Sequence, residues 1–97
     1  MTKQELVGEL AMRLSVSGAR AALAIDALFG TAGIIPGELE KGGRVQITGF
    51  GQFETRKRAA RTGRDPRTGN PIAIEASVAP VFRPGKPLKE MLNRKRG

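Results

Sequence analysis

The chain has 97 residues, the size of one small domain, so the sequence predicts a single domain over residues 1–97. It contains no Cys and no His, which removes thiol nucleophiles, disulfides and nearly all zinc, haem or iron–sulfur ligation. We therefore expect no metal, no cofactor, no enzymatic site and no small-molecule substrate, because the nine carboxylates are scattered without a nucleophile partner.

The positive charge lies almost entirely in the second half of the chain. The net charge is +8, with five basic and six acidic residues in 1–55 and twelve basic against three acidic residues in 56–97. A neutral body with a cationic second half favours a polyanionic partner. A membrane partner is not expected, because no apolar run approaches the roughly 20 residues of a span and the start does not resemble a signal peptide. The expected location is the cytoplasm.

Two amphipathic helices are predicted in residues 1–40. Thr2 to Glu5 form a capping box, and Leu6, Leu10 and Leu14 then repeat at helical spacing. Ser17 is the predicted cap of a second helix. Its apolar face consists of Ala21, Ile25, Leu28, Phe29 and Ala32, and the pattern is weakened and then ended by Gly30, Gly33, Pro36 and Gly37.

Short strands follow the helices. Residues 44–48 alternate polar with apolar side chains, residues 49–51 form a tight reversal, and a second strand runs through Phe53 and Thr55 to Arg58. A return strand is predicted from the alternation of Ile72, Ile74, Ala76 and Val78, with Pro80 marking a bulge or an edge. A closing helix after Pro84 and Gly85 contains Leu88, Met91 and Leu92, and a basic tail ends the chain.

A basic arm is predicted between these strands, over about residues 56–74. Residues 59–70 contain no large apolar side chain that could anchor them to a core, and residues 65–70 have the composition of a reversing tip. Its basic residues are Arg56, Lys57, Arg58, Arg61, Arg64 and Arg67. The alternative is a solvated charge run, but a solubilising surface normally mixes signs and this segment has one acid, Asp65. We therefore expect nucleic acid as the partner.

Basic residues outside the arm are weaker candidates for the same partner. Arg83, Lys86 and Lys89 lie around the Pro84–Gly85 break, and Lys3 lies at the start of the first helix. Pro66, considered alone, is an ordinary turn proline. The four Phe residues, with no Trp and no Tyr, make a thin core for one copy, so dimerisation is expected to supply the missing buried surface.

Several strings in order along the chain resemble the HU and integration host factor family of bacterial histone-like, DNA-bending proteins. They are Gly49-Phe50-Gly51-Gln52-Phe53, Arg58-Ala59-Ala60-Arg61, Gly63-Arg64-Asp65-Pro66-Arg67-Thr68-Gly69 and Phe82-Arg83-Pro84-Gly85-Lys86. The resemblance implies an α+β fold: an N-terminal helical hairpin, a three-stranded antiparallel sheet with a long β-ribbon arm, and a short C-terminal helix, in an intertwined dimer. The implied parts are a helical dimerisation part (1–40), a sheet and arm (41–83), and a C-terminal helix with a basic tail (84–97).

The function implied by the resemblance is largely non-sequence-specific binding, bending and compaction of double-stranded DNA in the nucleoid, through the minor groove. Pro66 is the implied intercalating residue at the arm tip. The expected DNA-binding residues are Lys3, Arg56, Arg58, Arg61, Arg64, Pro66, Arg67, Arg83, Lys86 and Lys89. A homodimer is expected, and a heterodimer with a paralogue stays open.

The chain departs from the family pattern in three places. Residues 33–37 form a longer link than usual and contain a helix breaker, Asp65-Pro66 stands where the family often has Asn-Pro, and the basic tail beyond Leu92 is extended. The tail is expected to give electrostatic help only.

Alternative functions remain open at this point. One is a site-preferring subunit of an integration-host-factor-like heterodimer, since specificity in such proteins comes largely from DNA deformability. Another is an RNA-bound protein of the ribosomal type, for which small size and high charge are equally typical. A polybasic membrane-surface protein ranks last, because no helix pairs a large apolar face with a basic one.

Overall fold

The computed structural model describes residues 1–94, so the part of the predicted basic tail that begins at Lys95 lies outside the described residues. The fold is α+β, as predicted. The elements in order are α1 (Lys3–Leu14), α2 (Gly18–Phe29), α3 (Ile34–Glu40), β1 (Val45–Ile47), β2 (Gly51–Arg58), β3 (Arg61–Arg64), β4 (Pro71–Ile74), β5 (Ser77–Pro84) and α4 (Lys86–Asn93). They form two compact units, Met1–Lys41 and the chain from Gly42 onward. The single folding domain expected from chain length stays a prediction.

Both predicted helix caps are confirmed. The Glu5 backbone N–H donates to Thr2 Oγ1 at 3.2 Å, and the Thr2 backbone N–H donates to Glu5 Oε1 at 3.2 Å, which completes a capping box. The Arg20 backbone N–H donates to Ser17 Oγ at 3.2 Å. These bonds satisfy donors that a helix start otherwise leaves unpaired.

The predicted end of the second helix was wrong. Residues 34–40 are helical, and Pro36 lies in the first turn of α3, where a residue needs no backbone N–H. The break falls earlier, at Gly30, where an added Cβ would lie 2.6 Å from the Asp26 carbonyl oxygen. A cluster of small residues, rather than the proline, therefore separates α2 from α3.

The expectation that no apolar stretch approaches membrane-span length was also wrong. Gly18–Glu40 is 23 residues long and, by length and composition alone, is apolar enough for a membrane span. The turn at residues 30–33 divides this stretch into helices of 12 and 7 residues. Each is shorter than the roughly 20 residues needed to cross a bilayer.

The sheet unit contains two antiparallel ladders. The three-stranded sheet has the order β1-β2-β5, and β3 pairs with β4 in a separate two-stranded ribbon. The β2–β5 ladder runs from Gly51 opposite Pro84 to Arg58 opposite Ser77. The predicted return strand is interrupted, because β4 ends at Ile74 and β5 begins at Ser77. Pro80 lies in β5, an edge strand of this sheet, where a missing N–H is tolerated.

Few apolar side chains are buried within one copy of the chain. Among residues 1–94, the buried apolar side chains are Ala21, Ile25 and Ile35, all in the helical unit. In the sheet unit the Phe82 ring packs on Phe50 and Phe53, with centroids 5.3 and 5.1 Å away, yet Phe50 stays 45% and Phe82 39% exposed. The thin core predicted from the composition is therefore observed.

We expect Gly51→Ala to destabilise the protein by about 1–3 kcal/mol, because overpacking a tight site forces shifts in its neighbours. A Cβ at Gly51 would lie 2.6 Å from two carbons of the Phe82 ring and 2.7 Å from the Arg83 carbonyl oxygen. The measurement is the free energy of unfolding in urea.

Gly8→Ala is the matched control. A Cβ at Gly8 in α1 has nothing within 4 Å. This substitution should therefore stabilise the helix by up to about 1 kcal/mol. Equal shifts of the urea midpoint in the same direction for both variants would contradict the packing role of Gly51.

Candidate nucleic-acid interface

The tip of the β3–β4 arm is braced by hydrogen bonds. The Asp65 backbone N–H donates to the Asn70 carbonyl oxygen at 2.8 Å, and the Gly69 backbone N–H donates to the Asp65 carbonyl oxygen at 2.7 Å. Gly69 has φ +73°, a left-handed conformation that favours glycine. The predicted reversing tip is confirmed, and Pro66 is exposed at its apex.

Side chains tighten this tip further. Asp65 Oδ1 accepts the Arg67 backbone N–H at 2.9 Å, which is an Asx turn, and it lies 3.8 Å from Arg67 Nε. Arg64 Nη1 donates to the Gly69 carbonyl oxygen at 3.0 Å. The Asp65 carboxylate therefore holds the backbone around Pro66 and also offsets part of the Arg67 charge.

The basic residues of the arm and its base do not all lie on one face. Because side chains alternate along a strand, Arg56 and Arg58 share one face of β2, whereas Arg61 and Arg64 lie on opposite faces of β3. All four residues are exposed. The arm therefore presents guanidinium groups in more than one direction around its axis.

The candidate residues outside the arm are distributed over both units. In the helical unit, Lys3 Nζ lies 2.7 Å from Asp26 Oδ1. In the sheet unit, Lys86 Nζ lies 3.9 Å from Glu90 Oε1 on α4, which also holds the exposed Lys89. Exposed pairs of this kind contribute about 1 kcal/mol at most, so they do not withhold these cations from an anionic ligand.

Arg83 on β5 has a tighter partner. Its Nε forms an ion pair with Glu54 Oε1, a buried atom on the neighbouring strand β2. The Arg83 side chain nevertheless remains largely exposed. Glu54 thereby fixes where this guanidinium stands on the sheet.

Two further polar residues were not singled out from the sequence. Gln46 on β1 lies opposite Gln52 on β2, and Gln52 lies opposite Arg83 on β5. The strand alternation of residues 44–48 places Gln46 on the polar face, but the register that aligns three strands could not be deduced from local pattern.

A family model described as bacterial DNA-binding protein matches residues 1–93 of this chain. The DNA-binding protein HU-1 of Halalkalibacterium halodurans is 45% identical over 93 residues, covering 96% of this chain and 100% of that protein. The DNA-binding protein HU of Geobacillus stearothermophilus is 47% identical over 90 residues, covering 93% of this chain and 97% of that protein.

Solved structures of HU proteins have folds similar to that of this chain. Anabaena HU in a cocrystal with DNA has a TM-score of 0.85 at 37% identity, covering 95% of this chain and 97% of that one. HU from Thermotoga maritima has a TM-score of 0.63 at 30% identity, covering 95% and 98%. The chain therefore belongs to the bacterial DNA-binding protein family, the family of HU and integration host factor.

Proposed function

We propose that this chain is an architectural DNA-binding protein that grips double-stranded DNA with its arm and bends it with little sequence preference. The observation that carries the proposal is the β3–β4 ribbon, which carries exposed arginines on both of its faces and ends in an exposed proline. Family membership supports a DNA-binding role in place of an enzymatic one. We propose that it acts in the cytoplasm, at the nucleoid, because its partner there would be duplex DNA.

Arginine suits the arm for the minor groove. The guanidinium group is planar, carries five donors and enters narrow grooves where the negative potential is enhanced. Arg56, Arg58, Arg61 and Arg64 are all exposed on the ribbon and its base. Arg83, Lys86 and Lys89 in the sheet unit, and Lys3 in the helical unit, would contact the phosphate backbone. Phosphate contacts position a protein on the duplex without reading its sequence.

Pro66 is proposed to insert between base pairs. Such insertion costs a few kcal/mol of unstacking, a figure general to minor-groove wedge proteins, among which HU and integration host factor are standard examples. The braced tip lowers the cost of ordering the wedge, because its backbone is already held by Asp65 and Gly69. Since Asp65 contacts Arg67, the acid at the tip places less uncompensated charge beside phosphates.

A second copy of the chain is proposed to cover the apolar surface that one copy leaves exposed. Phe29 is 50% exposed in the helical unit, and Phe50 and Phe82 are exposed in the sheet unit. Burying large aromatic side chains is among the strongest sources of stability available to a small protein. We infer a homodimer whose folding and association are one process.

A dimer of this kind should melt at a temperature that rises with protein concentration, because association stabilises the folded state by mass action. The measurement is thermal denaturation followed by circular dichroism over a roughly hundredfold range of concentration. A concentration-independent melting temperature, together with a monomeric mass by sedimentation, would contradict the dimer.

DNA affinity should fall steeply with salt, because phosphate contacts release condensed counterions. For about six to ten neutralised phosphates, the slope of log K against log salt should lie near −5 to −9. Converting both Arg61 and Arg64 to Ala should make this slope shallower by about two. Arg13→Ala on α1, also an exposed arginine, is the matched control and should leave the slope unchanged. A parent slope near zero would exclude binding through phosphates.

Pro66→Ala should reduce DNA bending. It should leave the fold intact, because the tip is exposed, and the free energy of unfolding should change by no more than about 1 kcal/mol. Without the wedge, the bend should shrink and affinity for intact duplex should fall. Nicked DNA has already lost stacking at the nick, so the same variant should lose less affinity there. The measurement is energy transfer between labelled duplex ends, with titrations on intact and nicked DNA.

The Arg61→Ala, Arg64→Ala double variant is the control for this comparison. Its affinity should fall by similar factors on both substrates, because backbone and groove contacts do not depend on the kink. If Pro66→Ala shows unchanged energy transfer and equal affinities on both substrates, then Pro66 is an ordinary turn residue and not a wedge.

A further inference from the structure

A row of hydrogen-bond donors crosses the three-stranded sheet. Gln46, Gln52 and Arg83 occupy matching register positions on β1, β2 and β5, so their side chains leave the same face of the sheet. The chain contains three glutamines, and two of them face each other here. Glu54, two residues beyond Gln52 on the same face, contacts Arg83 and fixes that end of the row.

This row borders a shallow groove of about 420 Å³. The polar side chains that line the groove are Gln46, Thr48, Gln52, Arg83 and Lys86, and its described lining includes no carboxylate. Arg83 and Lys86 each have a carboxylate partner, Glu54 and Glu90. A glutamine amide carries two N–H donors as well as an acceptor oxygen, so Gln46 and Gln52 can turn their N–H groups toward acceptor atoms of a ligand in this groove.

We propose that Gln46 and Gln52 donate hydrogen bonds to base edges in the DNA minor groove and give the protein a preference for A·T over G·C pairs. This inference rests on the proposed DNA-binding function and adds a second contact site, on the sheet, to the contacts of the arm. A·T pairs present only acceptors in the minor groove, adenine N3 and thymine O2. A G·C pair adds the guanine amino group, which is itself a donor.

The dimensions of the row fit this assignment. Adjacent strands lie about 4.8 Å apart, so the row spans about 10 Å, and the B-DNA minor groove is about 6 Å wide. Gln46 and Gln52 can therefore stand over the groove while Arg83 reaches a phosphate on its rim. Glutamine and arginine are among the side chains that minor-groove proteins use to separate A·T from G·C.

The test compares three duplexes of equal length, built from A·T, G·C or I·C pairs. Inosine lacks the guanine amino group but keeps the major-groove edge of guanine, so I·C isolates the minor groove. The variants are Gln46→Leu, Gln52→Leu and the double variant, and Gln4→Leu on α1 is the matched control. Gln46 is exposed, so its variant should fold normally, as circular dichroism will verify.

The parent should bind the A·T and I·C duplexes more tightly than the G·C duplex. The double variant should lose about tenfold in affinity for A·T and I·C, as expected for two hydrogen bonds, and little for G·C. Gln4→Leu should change none of the three affinities.

Two results would overturn the inference. One is an A·T to G·C affinity ratio that is the same in the parent and the double variant. The other is I·C binding like G·C in the parent, since the amino group would then be irrelevant. Either result leaves the proposed function standing as long as the parent binds duplex DNA with a steep salt slope. A parent that binds none of the duplexes overturns both.

Discussion

The β2–β5 ladder is the interaction on which the functional arrangement of the sheet unit depends. At one end it sets Gly51 opposite Pro84 and brings the Phe82 ring against Phe53. Near the same end it aligns Gln52 with Arg83, and at the far end it places Arg58 opposite Ser77 at the start of the arm. Because the side-chain period of a strand is two, a slip of one residue would move the aromatic rings to the polar face and Arg83 away from it.

Exposed apolar surface favours dimer formation, and the basic second half of the chain favours DNA binding. Few apolar side chains are buried in one copy, whereas most of the cations lie from Arg56 onward. A small chain that cannot close its own core gains stability by association, and association also doubles the number of arms. Two arms on one dimer can hold a duplex at two places, which is the geometry that bending requires. In the proposed dimer, folding, association and DNA bending therefore all depend on the exposed aromatic residues that a second copy would cover.

Features set by local chemistry were predictable from the sequence, and features set by register or close approach were not. The Thr2 and Ser17 caps and the tip around Gly69 follow from short-range residue preferences, and the structure has all three. The helical state of Pro36 was missed, because a proline that ends one helix and a proline that starts another have the same sequence signature. The contact of Lys3 with Asp26 was missed because it joins two helices. The Gln46–Gln52–Arg83 row depends on the pairing of three strands.

The arm combines a stiff end with a softer base. Between the two ladders, residues 59–60 and 75–76 have no strand pairing, and pairing resumes at Arg61 opposite Ile74. At the tip, by contrast, Asp65, Arg64 and Gly69 cross-brace the chain around Pro66. A change in the direction of the arm thus breaks fewer hydrogen bonds at its base than a change in the shape of its tip. The arm can therefore change direction at its base while the tip keeps its shape, so the insertion proposed for Pro66 would need little further ordering of the tip.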